Sequence, residues 1–407
     1  MKFSILLPTR DRLELLQYAV QSVLNQDYAD WEIVVSDNAS KADVRGYIEG
    51  LNDKRVKYLR SDAFLPVTEN WNRALEASSG DYFIMLGDDD CLLEGCLSIA
   101  AALLKKHECP DVLYTEAIQY AYPGVIPGLE EGFVQTGYCE FMKGKDEPFL
   151  LDRAAASGVV AQALSFRVAY SYNMQHSIIS RRLVDGLKKY GRFFQSPYPD
   201  YYATNAILLM SSRILVCPWP LVGIGISPKS FGYFYFNQRE KEGIEFLQNV
   251  AEPSIFSRVS DKVLSGSEMN TSWLLAMESL KNNFPEEIPV DVAYNKYRFM
   301  QFRELLRTSG SSRVLFLESR NKGNFKEQLF WGMIAAMYGV SAVMPFKNFW
   351  RRYLLRALHF LRPSHPRVDS TRRPVRSKNL LELTQEEGGI RTVPPTWRRK
   401  LNLTGLP

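Results

Sequence analysis

Three consecutive carboxylates, Asp88, Asp89 and Asp90, stand one glycine beyond the apolar run Tyr82–Leu86. Adjacent carboxylates repel one another, and each is favourable only when solvated, paired or bound to a cation. At the polar end of a buried strand, such a cluster suits a hard divalent cation and the phosphates it carries. The plainer reading is an acidic loop that caps the next helix. Two upstream apolar runs favour the first reading, because each ends in side chains that could hold a ligand. Phe3–Leu7 runs into Pro8, Thr9, Arg10 and Asp11, and Trp31–Val35 runs into Ser36, Asp37, Asn38, Ala39 and Ser40.

These clusters need a scaffold that brings them together. Leu13, Leu16, Ala19, Val20, Val23 and Leu24 recur at helical spacing after the first run, and Val44, Tyr47, Ile48 and Leu51 after the second. Val56–Leu59 reads as a third strand, Asn70–Ser78 as a helix, and Tyr82–Leu86 as a fourth strand. Strand–helix alternation of this kind predicts βαβ units around a mostly parallel sheet, an α/β fold. Ligands of such sheets gather beyond the carboxyl ends of the strands, so the three polar clusters should share one crevice. Residues 110–235 are irregular, with short strands expected at Val112–Thr115 and Ile214–Cys217. Helices are expected at Asn270–Asn282, Val292–Arg307 and Phe325–Met337.

A chain of 407 residues is long enough for two or three domains, and 46% hydrophobic content excludes a disordered protein. The net charge of +5 hides an asymmetry: from Pro345 onward 14 basic residues face 4 acids, while residues 1–344 hold 36 against 41. The five cysteines are scattered without metal-ligand spacing, as expected for reduced thiols in the cytoplasm. Ile5–Leu7 is too short for the apolar stretch of a signal peptide, and no apolar run of spanning length occurs.

The first 100 residues resemble the family 2 glycosyltransferases of the GT-A fold, a Rossmann-like αβα sandwich. The resemblance rests on the strand ending in Pro8-Thr9, the strand ending in Ser36–Ser40, Asn72 eight residues before Gly80, and Gly80-Asp81-Tyr82-Phe83-Ile84 entering the acidic turn. Weaker similarity continues to about Ser230. It implies an inverting enzyme that moves one sugar from a nucleotide-sugar donor, UDP being the expected nucleotide, to a glycan or lipid-linked acceptor. Pro8, Thr9 and Arg10 would contact the nucleoside, Asp37 and Asn38 the base, with Asn72 and Asp88 also on the donor side. Asp89 and Asp90 would hold Mn²⁺ or Mg²⁺. For Asp37-Asn38 a turn after a strand is the competing explanation, and for Arg10 and Arg12 a solvated surface charge. Two departures from the family text stand out. Gly87 follows Leu86 where the first acid of the motif is usual, and Trp71 replaces an arginine common before the asparagine, so a base contact there is lost or becomes stacking.

Inverting members use an acid about 100 residues beyond the turn as base toward the acceptor hydroxyl. Asp200, set among Tyr198, Tyr201 and Tyr202, fits that place; helix capping is its alternative. His176 could face the acceptor or be a satisfied core histidine. Gly223-Ile224-Gly225-Ile226-Ser227 lacks the full spacing of a phosphate loop and is set aside. The Gln-x-x-Arg-Trp motif of processive synthases is missing.

These features divide the chain into a GT-A domain at 1–230, a helical region at 231–344, a basic amphipathic helix at 345–362 and a disordered tail at 363–407. In the third part Phe346, Phe349, Trp350, Tyr353, Leu358 and Leu361 alternate with Lys347, Arg351, Arg352 and Arg356, which suits peripheral contact with the inner membrane face. Packing on the body is the alternative, and the acidic body argues against nucleic acid. Two other functions compete: a nucleotidyltransferase, which would need glycines in the loop after the first strand, and a binding module that keeps the fold without catalysis.

Overall fold

The computed structural model describes residues 1–125, 131–136, 139–230, 233, 234, 237, 239, 240, 242, 253–309, 312–341, 373–375 and 377–385. Strand and helix alternate at first: β1 (Phe3–Thr9), α1 (Leu13–Leu24), β2 (Trp31–Asp37), α2 (Val44–Gly50), β3 (Val56–Arg60), α3 (Val67–Glu76) and β4 (Tyr82–Met85). Then come β5 (Cys91–Leu92), α4 (Cys96–Lys106), β6 (Val112–Ala121), β7 (Gly132–Thr136), β8 (Phe149–Leu150) and α5 (Arg153–Leu164). The remainder of this half is β9 (Ser177–Ser180), α6 (Arg181–Leu187), α7 (Pro199–Met210) and β10 (Ile214–Ile226). Both β6 and β10 run well past the short strands expected there, because they pair in parallel over almost their whole lengths.

Strands β3, β2, β1 and β4 lie side by side and parallel. β1 and β2 are buried on both faces, which is why they read as unbroken apolar runs. The chain steps outward from β1 through β2 to β3, then returns to place β4 on the other flank of β1. Strand order therefore reverses at β1, and a crevice opens there beyond the strand ends. Antiparallel β9 continues the sheet from β4 and links it to β6.

One face of the sheet packs Leu16, Val20, Leu97, Leu103 and their neighbours; the other packs α3, α5 and α7. This second core does not stop at residue 230. It takes in Trp273, Leu274, Met277 and Leu280 from α9 (Glu268–Asn283), which follows α8 (Pro253–Val259), and then Tyr297 from α10 (Tyr294–Ser309). Each fully buried side chain of this size is worth roughly 1.5–3 kcal/mol, so α9 is part of the N-terminal half's core, and a cut at 230 would expose it. Helices α11 (Ser312–Lys322) and α12 (Phe325–Ser341) form a hairpin against α10, where Trp331, Ile334 and Ala335 meet Phe302 and Leu306.

The basic segment 345–362 lies outside the described residues. The expectation of a disordered tail fails for part of 363–407. β11 (Arg373–Val375) pairs with β7, and α13 (Leu380–Gln385) buries Leu380 and Leu383 against Cys91, Leu93, Ile118 and Tyr120. The local signal was there: Asn379 caps the helix by accepting from the Glu382 amide at 2.8 Å, three residues on.

Candidate active site

At the β1/β4 switch point lies a cleft of about 470 Å³. Its walls include Pro8, Thr9 and Arg10 after β1, Asn38 after β2, Trp71 on α3, the turn Gly87–Asp90, Gln175, and Asp200 at the start of α7. Seven of the residues expected to hold a donor or metal (Pro8, Thr9, Arg10, Asn38, Asp88, Asp89 and Asp90) thus share one cavity with the expected base.

The acidic turn is built from both sides. Asp88 accepts from the Thr9 hydroxyl at 2.7 Å and from the Arg12 guanidinium at 2.9 Å. Arg12 is only 9% exposed and also lies 3.7 Å from Asp89, so it is the counter-ion of the turn, not a solvated charge. Asp90 has both oxygens engaged: Oδ2 accepts from the Gly87 amide and the Gln175 side chain, and Oδ1 from the Gly225 amide. Asp89 Oδ2 accepts from Ser227 at 2.7 Å. Burial, and then the charge of Asp89, push the Asp90 carboxyl up to about 7. Burial also raises Asp89, with Asp88 adding to the effect and Arg12 opposing it.

Glycine at 87 has a geometric cause. A Cβ there would stand 2.6 Å from Asp90 Oδ2, so a side chain at this position would displace the Asp90 carboxylate from its bond to the Gly87 amide. The segment 223–227 is no phosphate loop, yet it seats the turn. A Cβ on Gly225 would fall 1.9 Å from the Asp89 carbonyl oxygen. Two glycines spaced by two within a strand signal such a close approach of backbones; Gln175 and Ser227 carried no signal of their own.

The structure separates the remaining candidates. Asp37 is fully buried and is spent locally: Tyr58 and Arg60 donate to Oδ2 at 2.7 and 3.0 Å, and the Ser40 amide donates to Oδ1. Asn38 lines the cleft, but its amide is bonded to Leu65 on both sides and holds that loop in place. Asn72 does not reach the cleft; it bonds the Phe194 amide and carbonyl and pins the 193–196 segment to α3. His176 is a core residue with 1% exposure. Its Nδ1 lies 2.8 Å from the Thr115 carbonyl, its ring stacks on Tyr114, and burial lowers its pKa to about 4. Arg10 lies over the Phe64 ring at 3.8 Å at the edge of the cavity.

Trp71 lines the cleft and meets Phe194 edge-on at 5.2 Å, while Tyr172 stacks on Tyr201 at 4.1 Å. Asp200 lies within this aromatic part, in the first turn of α7 with Pro199 before it. Burial pushes its carboxyl up to about 7, although backbone amides of Asp200 and Tyr201 pull the other way. It is therefore a carboxylate able to take a proton near neutrality. Met269, at the start of α9, closes one wall, so the helical region contributes to the cavity.

Among the described residues no group of three His, Cys, Asp or Glu side chains is arranged to enclose a metal. The turn fits a hard cation in a narrower way. Asp88 and Asp90 are committed to hydrogen bonds, whereas Asp89 Oδ1 stands in the looser 3.7 Å ion pair with Arg12, and Mg²⁺-type ions commonly take one or two carboxylates and complete their shell with substrate phosphates.

Replacing Arg12 tests this electrostatic arrangement. Arg12→Met is expected to cost about 3–5 kcal/mol in urea unfolding, because it strands buried carboxylates. The deficit should shrink in acid as the turn takes up protons. A cost below about 1 kcal/mol would return Arg12 to the status of a surface charge.

Residues 4–125 match the model of the family described as glycosyl transferase family 2. A GalNAc(5)-diNAcBac-PP-undecaprenol beta-1,3-glucosyltransferase of Campylobacter jejuni is 39% identical over 100 residues, covering 24% of this chain and 32% of that protein. A UDP-Glc:alpha-D-GlcNAc-diphosphoundecaprenol beta-1,3-glucosyltransferase of Escherichia coli is 28% identical over 104 residues, covering 26% and 41%. The chain thus spans about a third of the first relative's length and two fifths of the second's. The crystal structure of S. aureus TarS 1-349 in complex with UDP-GlcNAc aligns over 93% of this chain and 97% of that one, at 16% identity and a TM-score of 0.49.

Proposed function

We propose that this protein is an inverting glycosyltransferase that moves one sugar from a UDP-sugar to a lipid-linked glycan acceptor. The observation that carries the reading is a single cleft holding both a buried acidic turn and, among aromatic rings, a carboxylate raised to about 7. The aromatic rings suit the apolar faces of sugars and the flat base. The two relatives named for sugar transfer to undecaprenol-linked acceptors support the acceptor class.

In this reading Asp200 takes the acceptor hydroxyl's proton as that oxygen attacks the anomeric carbon from the face opposite the diphosphate. The bond from the anomeric carbon to the diphosphate oxygen breaks, UDP leaves, and the configuration inverts. Pro8, Thr9 and Arg10 border the donor's nucleoside, with Phe64 or Trp71 offering a stacking surface. Asp89 would hold Mn²⁺ or Mg²⁺, whose chemistry is to neutralise the departing diphosphate. Asp88, Asp90 and Arg12 keep that turn in shape. Asp37 and Asn72 act one layer behind, through the loops they fasten. The basic segment 345–362 would bring the enzyme to the inner membrane face, where such acceptors reside.

A thermal-shift screen checks the donor. UDP or a UDP-sugar with Mn²⁺ at about 100 times its Kd should add roughly 2.7 kcal/mol of stability. Stabilisation by a nucleoside triphosphate, with none by any nucleotide sugar, would favour the nucleotidyltransferase reading. Donor binding with no hydrolysis or transfer would favour the binding module.

A further inference from the structure

Helix α12 is apolar on two opposite faces. Trp331, Ile334 and Ala335 are buried against α10, which accounts for one face. The other presents Phe325, Leu329, Met333 and Met337, which are 74%, 60%, 56% and 50% exposed. These four account for much of the large apolar surface left open among the described residues, and they recur every fourth position. A four-residue step advances about 40° around a helix, so they form one slanting stripe along a little over three turns. A helix that is apolar all round is stable in water only when both faces are covered. Among the described residues nothing covers this one.

The charges around the stripe select the occupant. Lys326 lies on the exposed side, and Arg320 and Lys322 are exposed on the adjoining α11. The acid of α12, Glu327, turns inward and is bonded to Arg298 at 2.8 Å. Glu318 of α11 accepts from the Ser265 amide at 3.1 Å and pairs with Lys322. The chain that leaves α12, residues 342–372, adds seven basic residues and one acid. A second copy would bring like charge against like, whereas an anionic surface would be attracted. No described helix is long and apolar enough to cross a membrane, which suits a helix lying in the interface.

From this we infer that the Phe325–Met337 stripe of α12 is a docking surface for an anionic lipid bilayer. The apolar side chains enter the headgroup boundary while Lys326, Arg320 and Lys322 stay at the phosphates, their stems lying along the apolar surface. None of its residues lines the cleft, it precedes segment 345–362 in the sequence, and its behaviour does not depend on the transfer reaction.

The test is flotation of the full chain with phosphatidylglycerol-containing vesicles and with pure phosphatidylcholine vesicles, without donor or acceptor. Wild type should float with the anionic vesicles, and less so at high salt. Leu329→Glu with Met333→Glu should weaken partition by at least about tenfold with an unchanged melting temperature. If that pair melts early, Leu329→Gln with Met333→Gln is used in its place, with the same expectation. Variants that float like wild type, or a wild type that ignores anionic vesicles, overturn the inference. A wild type that is oligomeric by light scattering, does not float, and becomes monomeric in the variant would show that a second copy is the occupant.

Discussion

Asp89→Asn should lower turnover by roughly 10²–10³-fold, the usual cost of losing one preorganised electrostatic contact to developing charge, with the fold intact. Asp89 sits between Asp88 and Asp90 in a buried turn, and burial and Asp88 already push its carboxyl above the ordinary range. Removing that charge relieves repulsion in the empty protein, and the amide oxygen can still accept from Ser227. Circular dichroism and melting temperature should therefore match or exceed wild type. The stabilisation by a UDP-sugar with Mn²⁺ should be lost, because Asp88 and Asp90 have their oxygens bound elsewhere. Wild-type turnover by the variant sinks the assignment. Wild-type activity that survives exhaustive chelation removes the metal and leaves Asp89 only a structural part.

Asp200→Asn should lower turnover by roughly 10²-fold or more, the range of general base catalysis, while donor affinity stays near wild type. Burial holds its carboxyl at about 7, well above the 3.8 of an ordinary aspartate. A base must be ionised, so wild-type turnover should rise with pH through about 7 and then level off. Asp90 titrates in the same window, which makes the variant's flat profile the deciding measurement. Stability moves the opposite way. A folded pKa raised above the unfolded one means that Asp200's contribution is full below about 3.8 and is lost as pH rises through about 7. The Asn variant should thus melt at or above wild type at pH 8, in the absence of ligand. A capping role makes the opposite prediction, since an ionised acid in the first helical turn stabilises. A variant that melts lower at pH 8 and keeps its turnover would leave Asp200 a helix cap.

The polar ends of β1, β2 and β4 were legible because parallel strands buried on both faces leave their only polar residues at the termini. Helices α9, α10 and α12 were legible from apolar periodicity, with ends within a few residues. Segments that owe their form to distant partners were harder to see. The lengths of β6 and β10 come from each other across about 100 residues, and α13 is ordered because Leu380 and Leu383 find a cavity beside Cys91 and Tyr120. The division at 230 misread the core for the same reason: Trp273 and Met277 complete an apolar face begun by α5 and α7.

What the sequence by itself determined is the sheet's parallel core, the carboxylate turn at its edge and the aromatic setting of Asp200, since each depends on neighbours in the chain. Only the tertiary structure decided which of the polar candidates face the cleft. Asp37, Asn72 and His176 are polar residues of the right type, but hydrogen bonds to Tyr58, Phe194 and Thr115 turn them into supports. Arg12, Gln175, Gly225 and Ser227 meet the acidic turn from three separate stretches of chain. A buried charge is stabilised by whatever donors the fold brings within about 3 Å, and spacing along the chain does not encode that distance.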